Sequence, residues 1–164
     1  MFIKKENADY NISKIEKAAE LKNYIRENIP LTNFMDFHIN ELTEFSIQIS
    51  VPIEPNGNHY NTAFGGSIAT LGILSGWALL HSKMIDENVK GTLVIKQSTT
   101  KYIAPARAAF IAECNDLTQE KWNEFKIGLS QNGKASLILH SQLSSEGNLI
   151  AKQESIYVGL RKAI

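Results

Sequence analysis

The sequence predicts an α+β fold in which one antiparallel sheet curls around a single long helix. Three observations carry this. The stretch from Phe64 to about Met84 is apolar nearly all round, so it must be enclosed rather than laid on a surface. The segments before and after it alternate or run apolar at strand length. One helix and one sheet can bury each other's apolar faces only if the sheet wraps the helix. At 164 residues, with no repeat, low-complexity tract or linker, the chain reads as one domain over residues 1–164. Within it, an extra N-terminal helix covers about 13–29 and the core about 30–161.

The elements follow in order. Ser13 opens a helix whose apolar side is Ile15, Ala18, Ala19, Leu21, Tyr24 and Ile25, and Glu16 completes a capping box. Pro30 stops it. In MDFHINELTEFSIQISVPI, Phe45, Ile47, Ile49 and Val51 face one way and Ser46, Gln48 and Ser50 the other, which predicts a strand or a bent pair of strands. After the central helix and Gly91, TLVIKQSTTKYIAP and ARAAFIAECN are two strands separated by Pro105. LTQEKWNEFKIGLSQNGK is a connecting segment with at most one short helix, ended by the Asn132-Gly133 turn signal. KASLILHSQLSSEGNLIAKQESIYVGL is a pair of antiparallel strands joined near Glu146-Gly147-Asn148.

Composition excludes several classes of function. Seventeen basic residues balance seventeen acidic ones, so no global field draws nucleic acid or an anionic membrane. Cys114 is the only cysteine, which rules out an internal disulfide and makes thiol chemistry a weak reading. The N-terminus is polar after three residues, so no signal peptide is expected. The longest apolar run, Ile68 to Leu80, falls short of the ~20 residues of a membrane span. A cytoplasmic protein is expected. His38, His81 and His140 share no metal-ligand spacing with cysteines or carboxylates, so no metal site is expected. Ser67 and Ser75 have no nucleophile elbow around them.

The most informative stretch is NHYNTAFGGSIATLGILSGWALL, residues 58–80. A polar loop runs into two glycines and then into the apolar helix. First-turn amides of a helix lack intrahelical partners, and the macrodipole favours negative charge there. Gly65 and Gly66 remove side chains that would keep a ligand from those amides. Asn58, His59, Asn61 and Thr62 stand ready to orient it, although Asn61 or Thr62 also suits a plain N-cap. A carbonyl oxygen that gains charge during reaction is a natural occupant.

This helix-opening stretch resembles the thioesterase-type domain that many bacteria carry behind a GNAT acetyltransferase domain, within the hotdog-fold thioesterase superfamily. The matching residues are Asn58-His59, Thr62, Phe64-Gly65-Gly66-Ser67 and Gly76-Trp77, with KYIAPA (Tyr102 and Pro105) and GKASLIL in the strands. The resemblance spans about Pro30 to Arg161, and no acetyltransferase domain is expected here. It implies a hotdog fold and a homodimer, or dimer of dimers, with sheets joined. It also implies an acyl-CoA or acyl-carrier-protein thioester near the helix start. No separate cofactor is implied, because the substrate carries CoA or phosphopantetheine. Many such enzymes use an Asp or Glu on the central helix as base; here residues 64–84 contain none.

The chemistry therefore stays open between three readings. Hydrolysis needs an oxyanion hole, from the amides near Gly65 and Gly66 or from Asn58, and a base for water, with His59 (oriented by Asn61) ahead of Glu54. Decarboxylation of a malonyl thioester needs only a polarised carbonyl, and a helix free of carboxylates suits it. A non-catalytic acyl-thioester binder would keep the apolar helix alone. Hydrolysis is favoured as the common activity of the superfamily. Phe64, Ser67, Trp77 and Tyr102 are read as substrate contacts, and Lys101, with Lys96 and Arg107, as a partner for phosphates.

Overall fold

The protein is described by a computed structural model covering residues 3–161, with side chains from Ser13 onward. The polar stretch Met1 to Tyr10 therefore lies outside the described side chains. Helix α1 spans Ile3–Asn28, and the short α2, Leu31–Met35, follows Pro30. Strands β1 (His38–Leu42) and β2 (Ile47–Val51) form a hairpin, and a 3-10 turn (Glu54–Asn56) leads to the long helix α3 (Gly65–Asp86). Then come β3 (Thr92–Tyr102), β4 (Phe110–Cys114), α4 (Gln119–Asn132), β5 (Lys134–Ser145) and β6 (Asn148–Leu160). The strands form one six-stranded sheet in the order β1-β2-β4-β5-β6-β3, antiparallel at every pairing, with α3 on its inner face. This is the α+β hotdog architecture expected, with the strand pair and the four later strands in place.

Two expectations are corrected. The N-terminal helix begins at Ile3, so Ser13 lies inside it and forms no capping box with Glu16. LTQEKWNEFKIGLSQNGK is a full helix of 14 residues. Thr118 caps it, its hydroxyl accepting from the Lys121 amide at 3.3 Å, and Gly133 ends it at φ 69°, a left-handed conformation that glycine adopts without cost. Its charged surface hides a face of Trp122, Phe125 and Leu129, all buried. Trp122 and Phe125 make it a core element rather than a connector. The β5–β6 joint is the tight turn expected, with Glu146 at φ 51° and Gly147 at φ 77°.

α3 lies close on β5 and β6 because its sheet-facing residues are small. A methyl group at Gly72 would collide with Gln153 Oε1, and one at Gly76 with the Tyr157 ring. The side chains that fill these gaps bond to the helix backbone. Tyr157 Oη donates to Ile73 O at 2.7 Å, Gln153 Nε2 to Ala69 O at 3.1 Å, and Ser141 Oγ to Gly72 O at 3.2 Å. Ser75 Oγ stands 2.8 Å from Ser141 Oγ. By length and composition α3 would cross a bilayer, but most of it is buried inside the fold, as a core helix is. Cys114 is also buried, and burial pushes its thiol up to about 12, which leaves it unreactive.

The C-terminal end of α3 is a charged hub. Lys83 is buried, pairs with Glu44 and with Glu87 (3.1 Å), and lies 4.4 Å from the centre of the Phe45 ring. Glu87 also accepts from Lys126 Nζ at 2.6 Å and Trp122 Nε1 at 2.8 Å, joining α4 to α3. Hydrogen bonds from Lys126, Trp122 and Lys83 hold the Glu87 carboxyl down at about 2. A depressed carboxyl stabilises the fold above its ordinary pKa of ~4.3 and loses that contribution as pH falls towards the folded value. Glu87→Gln should therefore melt below the native protein at neutral pH. The gap between their melting temperatures should close as pH falls from about 4.3 to 2. A gap that stays constant in melts across that range would show that Glu87 carries no such linkage.

Candidate functional site

Residues 57–63 form a small tongue ahead of α3. Gly57 and Ala63 pair as an antiparallel bridge, and the Asn58 amide donates to Thr62 O at 2.8 Å. The Asn58 side chain holds the tongue from within. Its Oδ1 accepts from the amides of Tyr60 (2.9 Å) and Thr62 (3.3 Å), and its Nδ2 donates to Thr62 Oγ1 at 3.0 Å. Asn61 takes φ 56° at the tip, a conformation asparagine tolerates, and its amide donates to Asn58 O. Asn58 and Thr62 are thus committed to the loop, and the Asn58 amide has no hydrogen left for a ligand. His59 and Tyr60 stand exposed at the tip with their ring centres 3.9 Å apart. Among the described residues His59 has no hydrogen-bond partner, so Asn61 does not orient it.

Asn56 carries this tongue, a role that sequence reasoning missed. It is buried, and its Nδ2 donates to Met35 O (2.9 Å) and Pro52 O (2.8 Å) while its own carbonyl accepts from the Phe64 amide at 2.8 Å. It ties α2, the loop and the start of α3 together. The only sequence signal was an asparagine beside Gly57 in a loop with more polar residues than a turn needs.

α3 begins with Phe64 as N-cap residue and without any side-chain cap, so neither Asn61 nor Thr62 serves there. The first intrahelical acceptor, Phe64 O, takes the Ile68 amide at 3.1 Å. The amides of Gly65, Gly66 and Ser67 precede it and have no acceptor within the helix. No acidic residue lies in the first turn. The half-exposed Phe64 ring lies against Gly66, where a methyl would collide with it. Tyr102, at the end of β3, donates its Oη to Gly65 O at 2.8 Å and so pins the edge strand to the helix start. Three amides at the positive end of a helix dipole form a donor set suited to an oxyanion.

The helix is not enclosed all round. Besides residues of its first turn and a half, Gly65, Ser67 and Ala69, and its last two, Ile85 and Asp86, the incompletely buried positions are Gly66, Thr70, Ile73, Trp77 and His81, whose spacing of four, three, four and four residues puts them on one stripe. Beside this stripe runs an apolar cleft of about 340 Å³, lined by Thr70, Ile73 and Trp77 of α3, Val94 and Ile95 of β3, and Leu31 of α2. Trp77 Nε1 donates to Leu93 O at 3.2 Å, and its ring stacks on His81 at 4.6 Å and 11°. Burial lowers the His81 pKa and keeps that ring neutral.

The structure thus brings Asn58, His59, Asn61, Thr62, Phe64, Gly65, Gly66, Ser67 and Tyr102 to one region, with Trp77 three turns along the same helix. Lys101 is not among them. It alternates with Tyr102 and faces outward, opposite Lys152 and beside His140 and Glu154. There His140 bridges Asp116 (2.8 Å) and Glu154 (3.2 Å), and the hydrogen bond to Asp116 leads in raising its pKa, a satisfied surface histidine. Among the described residues no group of three His, Cys, Asp or Glu side chains is placed to hold a metal.

Comparison with known proteins agrees with this arrangement. Residues 18–161 match the family described as "Putative thioesterase (yiiD_Cterm)". A protein "with unknown function" from Chlorobaculum tepidum TLS superposes with a TM-score of 0.84 at 25% identity, over 88% of this chain and 94% of that one. A "putative thioesterase" from Shewanella oneidensis gives 0.76 at 27% identity, over 88% and 98%.

The bonding of Asn58 generates a prediction of its own. Asn58→Ala leaves the amides of Tyr60 and Thr62 without that acceptor, and such losses cost about 0.5–1.5 kcal/mol net per hydrogen bond. Amide hydrogen exchange at Tyr60 and Thr62 should speed up while the core strands stay protected. Unchanged exchange at both amides would show that Asn58 does not hold the tongue.

Proposed function

The chain belongs to this thioesterase family, and on that premise we propose that it hydrolyses acyl thioesters of CoA or of an acyl-carrier protein at the start of α3. One observation carries the reading: three amides without intrahelical acceptors open the helix, and an open stripe of that helix runs from them to an apolar cleft. The thioester carbonyl oxygen sits against the amides of Gly65, Gly66 and Ser67, and the acyl chain lies along Thr70, Ile73 and Trp77. Phe64 swings off Gly66 to admit it, and the exposed Tyr60, Phe64 and Tyr102 flank the pantetheine arm.

In the reaction, water adds to the carbonyl carbon and gives up a proton to His59, the one histidine of the tongue. The oxyanion forms against the helix amides. The carbon–sulfur bond then breaks, and the thiolate leaves with the proton from His59, giving a carboxylic acid and a free thiol. The same reading places the protein in the cytoplasm, with its substrates. It also pairs two copies through β3, whose outer edge has no strand partner among the described residues.

A second reading has its own observation. The open stripe and first turn of α3 hold no carboxylate, so no negative charge there opposes the one free carboxylate of a malonyl thioester whose carbonyl oxygen sits on the amides. Loss of CO₂ leaves the electron pair as an enolate on the same amides, and protonation gives an acetyl thioester.

Purified protein assayed against acyl-CoAs, malonyl-CoA and malonyl-carrier protein separates these readings. Free thiol is the result expected; an acetyl thioester with CO₂ would favour decarboxylation, and neither product would indicate a binding protein. His59→Ala should cost ~10²–10⁴ in hydrolytic rate, the usual worth of a general base. A loss below tenfold would remove His59 from the reaction. Sedimentation at micromolar concentration should show a dimer, and a stable monomer would rule out pairing through β3.

A further inference from the structure

We propose that Trp77 sets the longest acyl chain the thioester site accepts, by closing the far end of the apolar cleft that lies along α3 one turn beyond the glycine amides. The proposal rests on the reading of that site as a thioester site and goes beyond it, to the substrates it selects.

The geometry is directional. Gly66, Thr70, Ile73 and Trp77 lie on one helix stripe, and β3 runs antiparallel beside it, with Tyr102 bonded at Gly65 and Leu93 at Trp77. The helix start, where the amides lie, and the Trp77 end of the cleft are therefore each pinned by a β3-to-α3 hydrogen bond. Between them the walls are carbon-rich: Ile73, Leu74 and Trp77 on one side, Val94 and Ile95 on the other. An extended alkyl chain matches such a slot, because it needs no hydrogen bonds and gains from every carbon it buries.

Trp77 is held as a wall rather than as a flexible lining residue. Its N–H is fixed to Leu93 O, and one face of its ring is covered by His81. His81 in turn stacks on Tyr24 of α1, with centres 4.6 Å apart and planes at 22°. A chain end that reaches Trp77 meets three stacked rings from two helices. Moving the indole aside would break both the stack and the hydrogen bond. From Gly66 to Trp77 the helix rises about 16 Å at 1.5 Å per residue, a distance suited to decanoyl and dodecanoyl chains and short for palmitoyl.

The test uses hydrolysis-inert S-alkyl-CoA thioethers, from butyl to hexadecyl, titrated calorimetrically into the 164-residue protein, with acyl-CoA turnover measured in parallel. Affinity should rise about fourfold per methylene up to the decyl or dodecyl ligand and then stop rising. Trp77→Ala should move that limit to longer chains. Thr70→Phe, which fills the slot nearer its head, should move it to shorter ones, so the result does not depend on one variant folding. The same limit in all three proteins, or no dependence on chain length, overturns the proposal. So does loss of the dimer in Trp77→Ala without ligand binding by the native protein, which would mean that a second copy fills the cleft. Because the thioethers cannot be cleaved, a limit that moves in a protein without hydrolytic activity sustains the length rule and rejects the hydrolase reading. Hydrolysis with an immobile limit does the reverse.

Discussion

The close seat of α3 on β5 and β6 is the constraint on which the rest of this structure depends. Three sheet side chains, Gln153, Tyr157 and Ser141, donate to the carbonyls of Ala69, Gly72 and Ile73, which already serve the helix's own ladder. These contacts fit only because Gly72 and Gly76 present no side chains to the sheet. They fix the rotation of the helix about its axis as well as its distance. Once Gly72, Ser75 and Gly76 must face the sheet, Gly66, Thr70, Ile73 and Trp77 must face away from it. The open stripe is thus a geometric consequence of the seam beneath.

The two ends of the helix are finished in opposite ways. At the C-terminal end the negative pole of the dipole meets buried Lys83, which Glu44 and Glu87 neutralise in turn while α4 packs over them. At the N-terminal end there is no capping side chain and no acid, and the tongue's Asn58 and Thr62 satisfy each other instead. A helix that needed only stability would have used one of those residues as a cap, worth about 1 kcal/mol. Leaving the amides uncapped gives up that stabilisation at the end from which the open stripe sets out.

The tongue shows how loop chemistry and site chemistry divide the work. Asn56 and Asn58 are structural, one anchoring the loop to α2 and the other closing it, which leaves His59 and Tyr60 as the residues displayed. A count of polar residues overstates how many face a ligand, because a short tongue consumes its own hydrogen-bonding groups.

The architecture was legible from local pattern. An all-apolar helix flanked by alternating segments admits few arrangements, and the β5–β6 turn announced itself in Glu146-Gly147. At the start of α3 the glycine pair was legible, but whether Asn61 or Thr62 capped the helix was not, and the structure shows that neither does. α4 was hidden: Trp122, Phe125 and Leu129 are only three buried positions among lysines, glutamates and asparagines, and their partners lie on α3 and β6. The face of Lys101 was equally hidden. Strand alternation separates it from Tyr102, but only the Tyr102 bond to Gly65 tells which of the two looks inward. By itself, then, the sequence determined the central helix, the strands around it and the tight β5–β6 turn, since these follow from residues a few positions apart. The rotation of α3, the open stripe it leaves and the stacked rings that end it came only with the tertiary structure, because each depends on contacts between residues far apart in the chain.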